Sequence, residues 1–152
     1  MSGSSQIERL FPNLTAIAWH ATSPADRRYN CVAWAAEDNE AWWEPVISPA
    51  GRFLGGYFWP HGVGVQTTLA NYINLFRMRG FEICETAEFE AGWSKVALFS
   101  DDRGKPTHAS RQLRSGAWTS KLGALEDIEH ATLDGLVGAE YGKVAVILRR
   151  PA

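Results

Sequence analysis

The chain has little of what would staple, tether or polarise it. Two cysteines occur, Cys31 and Cys84, so at most one disulfide is available, and in a reducing compartment the pair is expected to remain free. The four histidines, His20, His61, His108 and His130, are scattered and stand beside no CxxC, HxxxH or carboxylate cluster, which argues against a zinc site. Neither sign of charge dominates: 15 Lys and Arg against 17 Asp and Glu leave a net charge of -2, mixed along the chain, with no basic stripe for nucleic acid. No apolar run approaches the roughly 20 residues that span a bilayer. The opening residues also lack the charged-then-apolar order of a secretion signal, so a cytoplasmic location without a membrane partner is expected. Neither GxGxxG nor GxxxxGK occurs, and no cofactor is expected.

What is present suits one domain over residues 1–152, long enough to bury a single core without metal or disulfide support. Seven tryptophans are an excess for that length and need places to go. Residues 1–80 read as helix and loop. Ser23, Pro24 and Asp26 resemble an N-cap, an N1 proline and an N3 acid, and Asn30 offers a second N-cap, so either one helix from residue 24 or a turn followed by a helix from residue 31 fits. Residues 40–65, broken by Pro45, Pro49, Pro60 and repeated glycines, predict a long loop. Leu69, Tyr72, Ile73 and Phe76 fall at helical spacing within residues 66–79, with Gly80 as a stop.

From residue 81 the period shortens. "FEICET", "KVALFS", "PTHASRQL", "AWTSKL" and "KVAVILRR" read as strands, "DDRGKP" and "RSG" as turns, and "ALEDIEHATLDGL" as a helix before the last strand. An antiparallel sheet with helices packed against it follows, an α+β architecture.

Cys31 stands at a helix start, where unpaired N–H groups lower a thiol pKa, and His108 on a later strand is the candidate base for a thiolate. A cysteine opening a helix, followed by a histidine on a sheet strand, resembles the papain-like superfamily of cysteine peptidases and amidases. The motifs "YNCVAWA", "YFWP", "KVALF", "THASRQL", "WTSKLG", "EDIEH" and "YGKVAVILRR" are similar to those of a family of small uncharacterised bacterial proteins. The papain-like resemblance implies that fold, with Cys31 as nucleophile and His108 as base.

Hairpin register selects the third residue. With Arg114, Ser115 and Gly116 as a three-residue loop, His108, Ser110, Trp118 and Ser120 share one side of the sheet and Ser120 is the polar neighbour of His108. With Ser115 and Gly116 alone as the loop, Lys121 joins that side instead, as a contact for a substrate carboxylate. Asp127 is the other candidate acceptor and ranks below Ser120. Candidate substrate-binding residues are Asn30, Trp42, Trp43, Trp59, Trp118 and Lys121; the loop tryptophans either wall a cleft or plug the side of the core. Cys84 is expected to be structural, and His20, His61 and His130 to be surface or packing residues.

The expected activity is that of a thiol hydrolase or acyl transferase acting on an amide bond of a peptide, a protein or another substrate, without metal. Peptidase, amidase, deamidase and transglutaminase chemistries share the acyl-enzyme step. The alternative is a noncatalytic binding or immunity-type domain that uses its aromatic loop, residues 42–60, to hold a partner.

Overall fold

The computed structural model describes residues 3–45 and 57–152. The first half contributes α1 (Gly3–Leu10), β1 (Trp19–Ala21), α2 (Cys31–Ala35), β2 (Trp42–Trp43), β3 (Tyr57–Phe58) and α3 (Leu69–Arg77). The second contributes β4 (Glu82–Cys84), β5 (Trp93–Ser100), β6 (Pro106–Gln112), β7 (Trp118–Lys121), β8 (Asp127–His130) and β9 (Lys143–Pro151). Seven of the strands form one antiparallel sheet in the order β1-β8-β7-β6-β5-β9-β4, and β2 and β3 pair separately in parallel.

The interior strand β5, between β6 and β9, explains the layering. All of Lys95 to Ser100 is buried, as a strand covered on both faces requires. Alternation sends Val96 and Leu98 to one face, here the front, where they meet Tyr72, Leu75 and Phe76 of α3 and Val32 and Ala33 of α2. Ala97 and Phe99 point to the back and meet Ile7 of α1, Phe11 just after it, and Leu14 and Leu136 from two 3-10 turns at Pro12–Ala16 and Leu133–Leu136.

The chain turns before α2 and enters the helix at residue 31; no helix runs from residue 24. Helix α3 begins under its Thr68 cap, whose side chain accepts the Asn71 N–H at 3.2 Å, and Gly80 at φ +91° follows it. Gly142 has φ +74°, and a side chain there would strike the Ser100 carbonyl, so this approach of the β9 entry to β5 is open to glycine alone.

Two expectations change. Residues 124–136 are not a helix: β8 pairs along β7 from Trp118–His130 to Lys121–Asp127, and a 3-10 turn completes the segment. Leu125, Ile128 and Leu136 satisfy a helical period, but sheet pairing of Asp127–His130 overrides it. The first half also holds strands: β1 extends the sheet beyond β8. The expected long loop at 40–65 keeps its ends together through the short β2–β3 pair; residues 46–56 lie outside the described residues.

Candidate functional site

Helix α2 lies across β6 and β7 on the front. Asn30 caps it, its Oδ1 accepting the Ala33 N–H at 3.1 Å, and the same amide exchanges two hydrogen bonds with the backbone of Trp43. Those bonds hold the side chain, which is 6% exposed, so Asn30 ties α2 to β2 while it also lines the cavity beside Cys31. The helix ends in a Schellman motif: Asp38 N–H reaches Ala33 O at 2.8 Å, Glu37 N–H reaches Trp34 O at 3.0 Å, and Glu37 adopts φ +66° where glycine is usual.

Cys31 is half-buried against the front core and lines a cavity of about 330 Å³ together with Glu44, Thr67, Tyr72, Lys105 and the His108 segment of β6. Burial pushes its thiol pKa up, hydrogen bonding from the backbone of Ala109, Val32 and Cys31 itself pulls the other way, and the Glu44 carboxylate raises it again. The net direction is upward, toward a thiol rather than the thiolate expected at a helix start.

His108 belongs to the other layer. It pairs with Phe99, a back-face residue, while its neighbour Ala109 pairs with Leu98 on the front. Its ring stacks on Tyr141 at 4.1 Å with 7° between planes and meets Phe99 edge-on at 5.3 Å. It is 2% exposed, and neither ring nitrogen has a hydrogen-bond partner among the described residues. Burial, and then the nearby His130, hold its pKa well below the ordinary imidazole value. Cys31 and His108 therefore border one cavity, but strand alternation turns the His108 ring to the back face, away from the α2 side, and no hydrogen bond joins them.

Of the two hairpin registers the sequence allows, the one with a three-residue loop is present. Leu113 N–H reaches Ala117 O at 2.8 Å around Arg114–Gly116, and Ser110 and Ser120 face each other at 2.6 Å. Yet Ser120 does not orient His108: its hydroxyl lies 2.8 Å from Nε2 of His130, whose Nδ1 lies 2.9 Å from the Thr132 carbonyl. A carbonyl only accepts, so Nδ1 carries the proton, Nε2 accepts from Ser120, and Ser120 accepts from Ser110. Burial lowers the pKa of His130 to about 4. Sequence reasoning missed His130 because the helical reading of its segment hid a buried strand partner.

Asp127 is on the front but remote from His108; its carboxylate accepts from Tyr29 at 2.7 Å and Thr22 at 3.0 Å. Lys121, also on the front, is fully buried, with Nζ donating to the carbonyls of Asp26 and Gly123 and lying 4.8 Å over the Tyr29 ring. Its donors are spent on the fold, and it offers no free ammonium to a substrate. Trp118 is buried in the back layer. Trp43 and Trp59 plug the front core, with indole N–H groups satisfied by Asp38 and the Gly64 carbonyl, whereas Trp42 stacks on the exposed Tyr57. Both cysteines are free, and no group of three or more His, Cys, Asp or Glu side chains able to hold a metal occurs among the described residues.

Fold and cavity together define a class: a small mixed α/β domain on a seven-stranded antiparallel sheet, with a polar cavity on its front face. Residues 20–149 match the family described as a domain of unknown function, DUF7689, and the chain belongs to that family. No curated protein and no solved structure matches it.

Proposed function

We propose that the chain is a noncatalytic binding domain that takes a peptide or other amide-bearing ligand into the front cavity beside Cys31. The observation that carries this reading is the placement of His108 in the back layer, which leaves Cys31 without the base that acyl transfer requires. The cavity supplies both signs of charge, Glu44 and Lys105, with the Thr67 and Tyr72 hydroxyls and the thiol between them. Such a lining suits a ligand carrying donors and acceptors along an apolar body.

A second reading, a thiol hydrolase or acyl transferase acting on an amide bond through the papain-like arrangement, is favoured by one feature: Cys31 opens a capped helix at the cavity, with backbone hydrogen bonding at its sulfur. That reading requires the His108 ring to reach the front. Iodoacetamide labelling followed by mass spectrometry separates the two. For a binding domain, Cys31 labels slowly at mildly acidic pH and accelerates only as pH rises through and above the ordinary thiol range, and His108→Ala leaves the rate unchanged. Rapid labelling in mild acid that His108→Ala abolishes would replace the binding reading with the hydrolase.

A further inference from the structure

At the far end of α2 from Cys31, a groove of about 850 Å³ runs between the helix end, the β6–β7 turn and the end of β9. Arg111, Arg114 and Arg150 line it, against the one acidic side chain of Glu37 among the lining residues. Glu37 is committed to Arg150 at 3.0 Å, and Arg150 also donates to the Arg79 carbonyl while lying 4.6 Å over the Phe81 ring. Arg111 is different. Its guanidinium lies 5.2 Å over the Trp34 ring and donates from Nε to the Trp34 carbonyl at 3.4 Å, and among the described residues no carboxylate pairs with it or with Arg114. Burial penalises the half-buried Arg111 guanidinium, and Glu37, paired with Arg150, offsets this only through space, so a ligand oxyanion would restore stability because the planar fork donates to two oxygens at once.

We propose that this groove is a binding site for an acidic peptide, with a ligand carboxylate seated on the Arg111 fork and Arg114 at the rim. The volume exceeds what a bare oxyanion needs, and Phe89 and Trp93 supply apolar wall for the rest of a peptide. The site is separate from the front cavity and stands whether or not the function proposed there is correct. Seated carboxylate and free phosphate share the same oxyanion chemistry, so both are tested.

The experiment is fluorescence anisotropy with a fluorescein-labelled, glutamate-rich peptide, its glutamine counterpart as control, and inorganic phosphate or chloride at matched ionic strength as competitors. The glutamate peptide is expected to bind, the glutamine peptide not, and phosphate to displace it where chloride does not. Arg111→Met, which keeps an unbranched apolar chain but removes the guanidinium over Trp34, should weaken binding at least about tenfold. Glu37→Gln, which removes the competing carboxylate, should tighten it by about threefold, a gain that misfolding cannot imitate. Should Arg111→Met fail to fold, Arg114→Ser is expected to weaken binding by a similar about threefold factor. Equal binding of the two peptides, equal displacement by chloride and phosphate, no binding at all, or no change in Glu37→Gln would overturn the proposal.

Discussion

The two faces of the sheet treat their polar residues in opposite ways. On the front, Cys31, Glu44, Lys105 and Tyr72 border a cavity, and the buried Asp127 and Lys121 are held by Tyr29, Asp26 and Gly123. On the back, His108 and His130 are sealed among aromatic and aliphatic side chains, one hydrogen-bonded and the other not. The contrast teaches that a histidine in a promising motif can serve a layer rather than a site. His108 is a flat, neutral ring filling the space between Phe99 and Tyr141.

Acid is the strongest way to break the contrast, because it attacks the back layer first. The folded pKa of His130 is depressed to about 4, so the unfolded chain binds a proton that the native state refuses, and stability is lost as pH falls from about 6.5 toward 4. His130 alone accounts for roughly 3 kcal/mol over that window, and the depressed His108 adds in the same direction. Urea midpoints measured between pH 7 and pH 4 should fall steeply; a flat profile would mean that the rings are solvated.

His130→Ala should come next, costing about 2–3 kcal/mol at neutral pH by opening a cavity and leaving Ser120 without its acceptor. Thermal unfolding checks it. His108→Phe sharpens the comparison between the two rings. Since neither nitrogen of His108 is bonded among the described residues, the phenyl ring should change neutral-pH stability by no more than about 1 kcal/mol in either direction, while flattening the acid profile. A loss as large as that of His130→Ala would show that the ring has partners. The smallest effect belongs to the helix that links cavity and groove: Glu37→Gly relieves a left-handed residue but removes the ion pair with Arg150, so the net gain should be no more than about 0.5 kcal/mol, read from the urea midpoint.

The sequence narrowed the hairpin register to two and left the layers hidden. Turn chemistry at Arg114–Gly116 left two registers open, and the three-residue loop, which sets Ser110 opposite Ser120 on the side of His108 and Trp118, is the one observed. Nothing in that register says which helices will cover that side; α2 took the side of Ala109 and Thr119, so the cysteine and the histidine parted. The α3 period was legible because its buried face is continuous, from Tyr72 to Leu75 and Phe76. Strand β8 was not, because four residues hold too few repeats to separate a period of two from one of 3.6. The fully buried Lys121 was equally opaque: its partners are the carbonyls of Asp26 and Gly123, which no side-chain pattern announces.

The central claim is that His108 and Cys31 are chemically independent, and side-chain nitrogen NMR of the histidines tests it directly. In ¹⁵N-labelled protein titrated from pH 8 to pH 5, before and after Cys31 is alkylated, the His108 ring is predicted to stay neutral throughout. Its resonances should show no titration step that depends on the state of the cysteine. An imidazolium signal for His108 at neutral pH whose pKa drops when Cys31 is alkylated would contradict the account, since only a thiolate–imidazolium pair across a shared site produces that coupling.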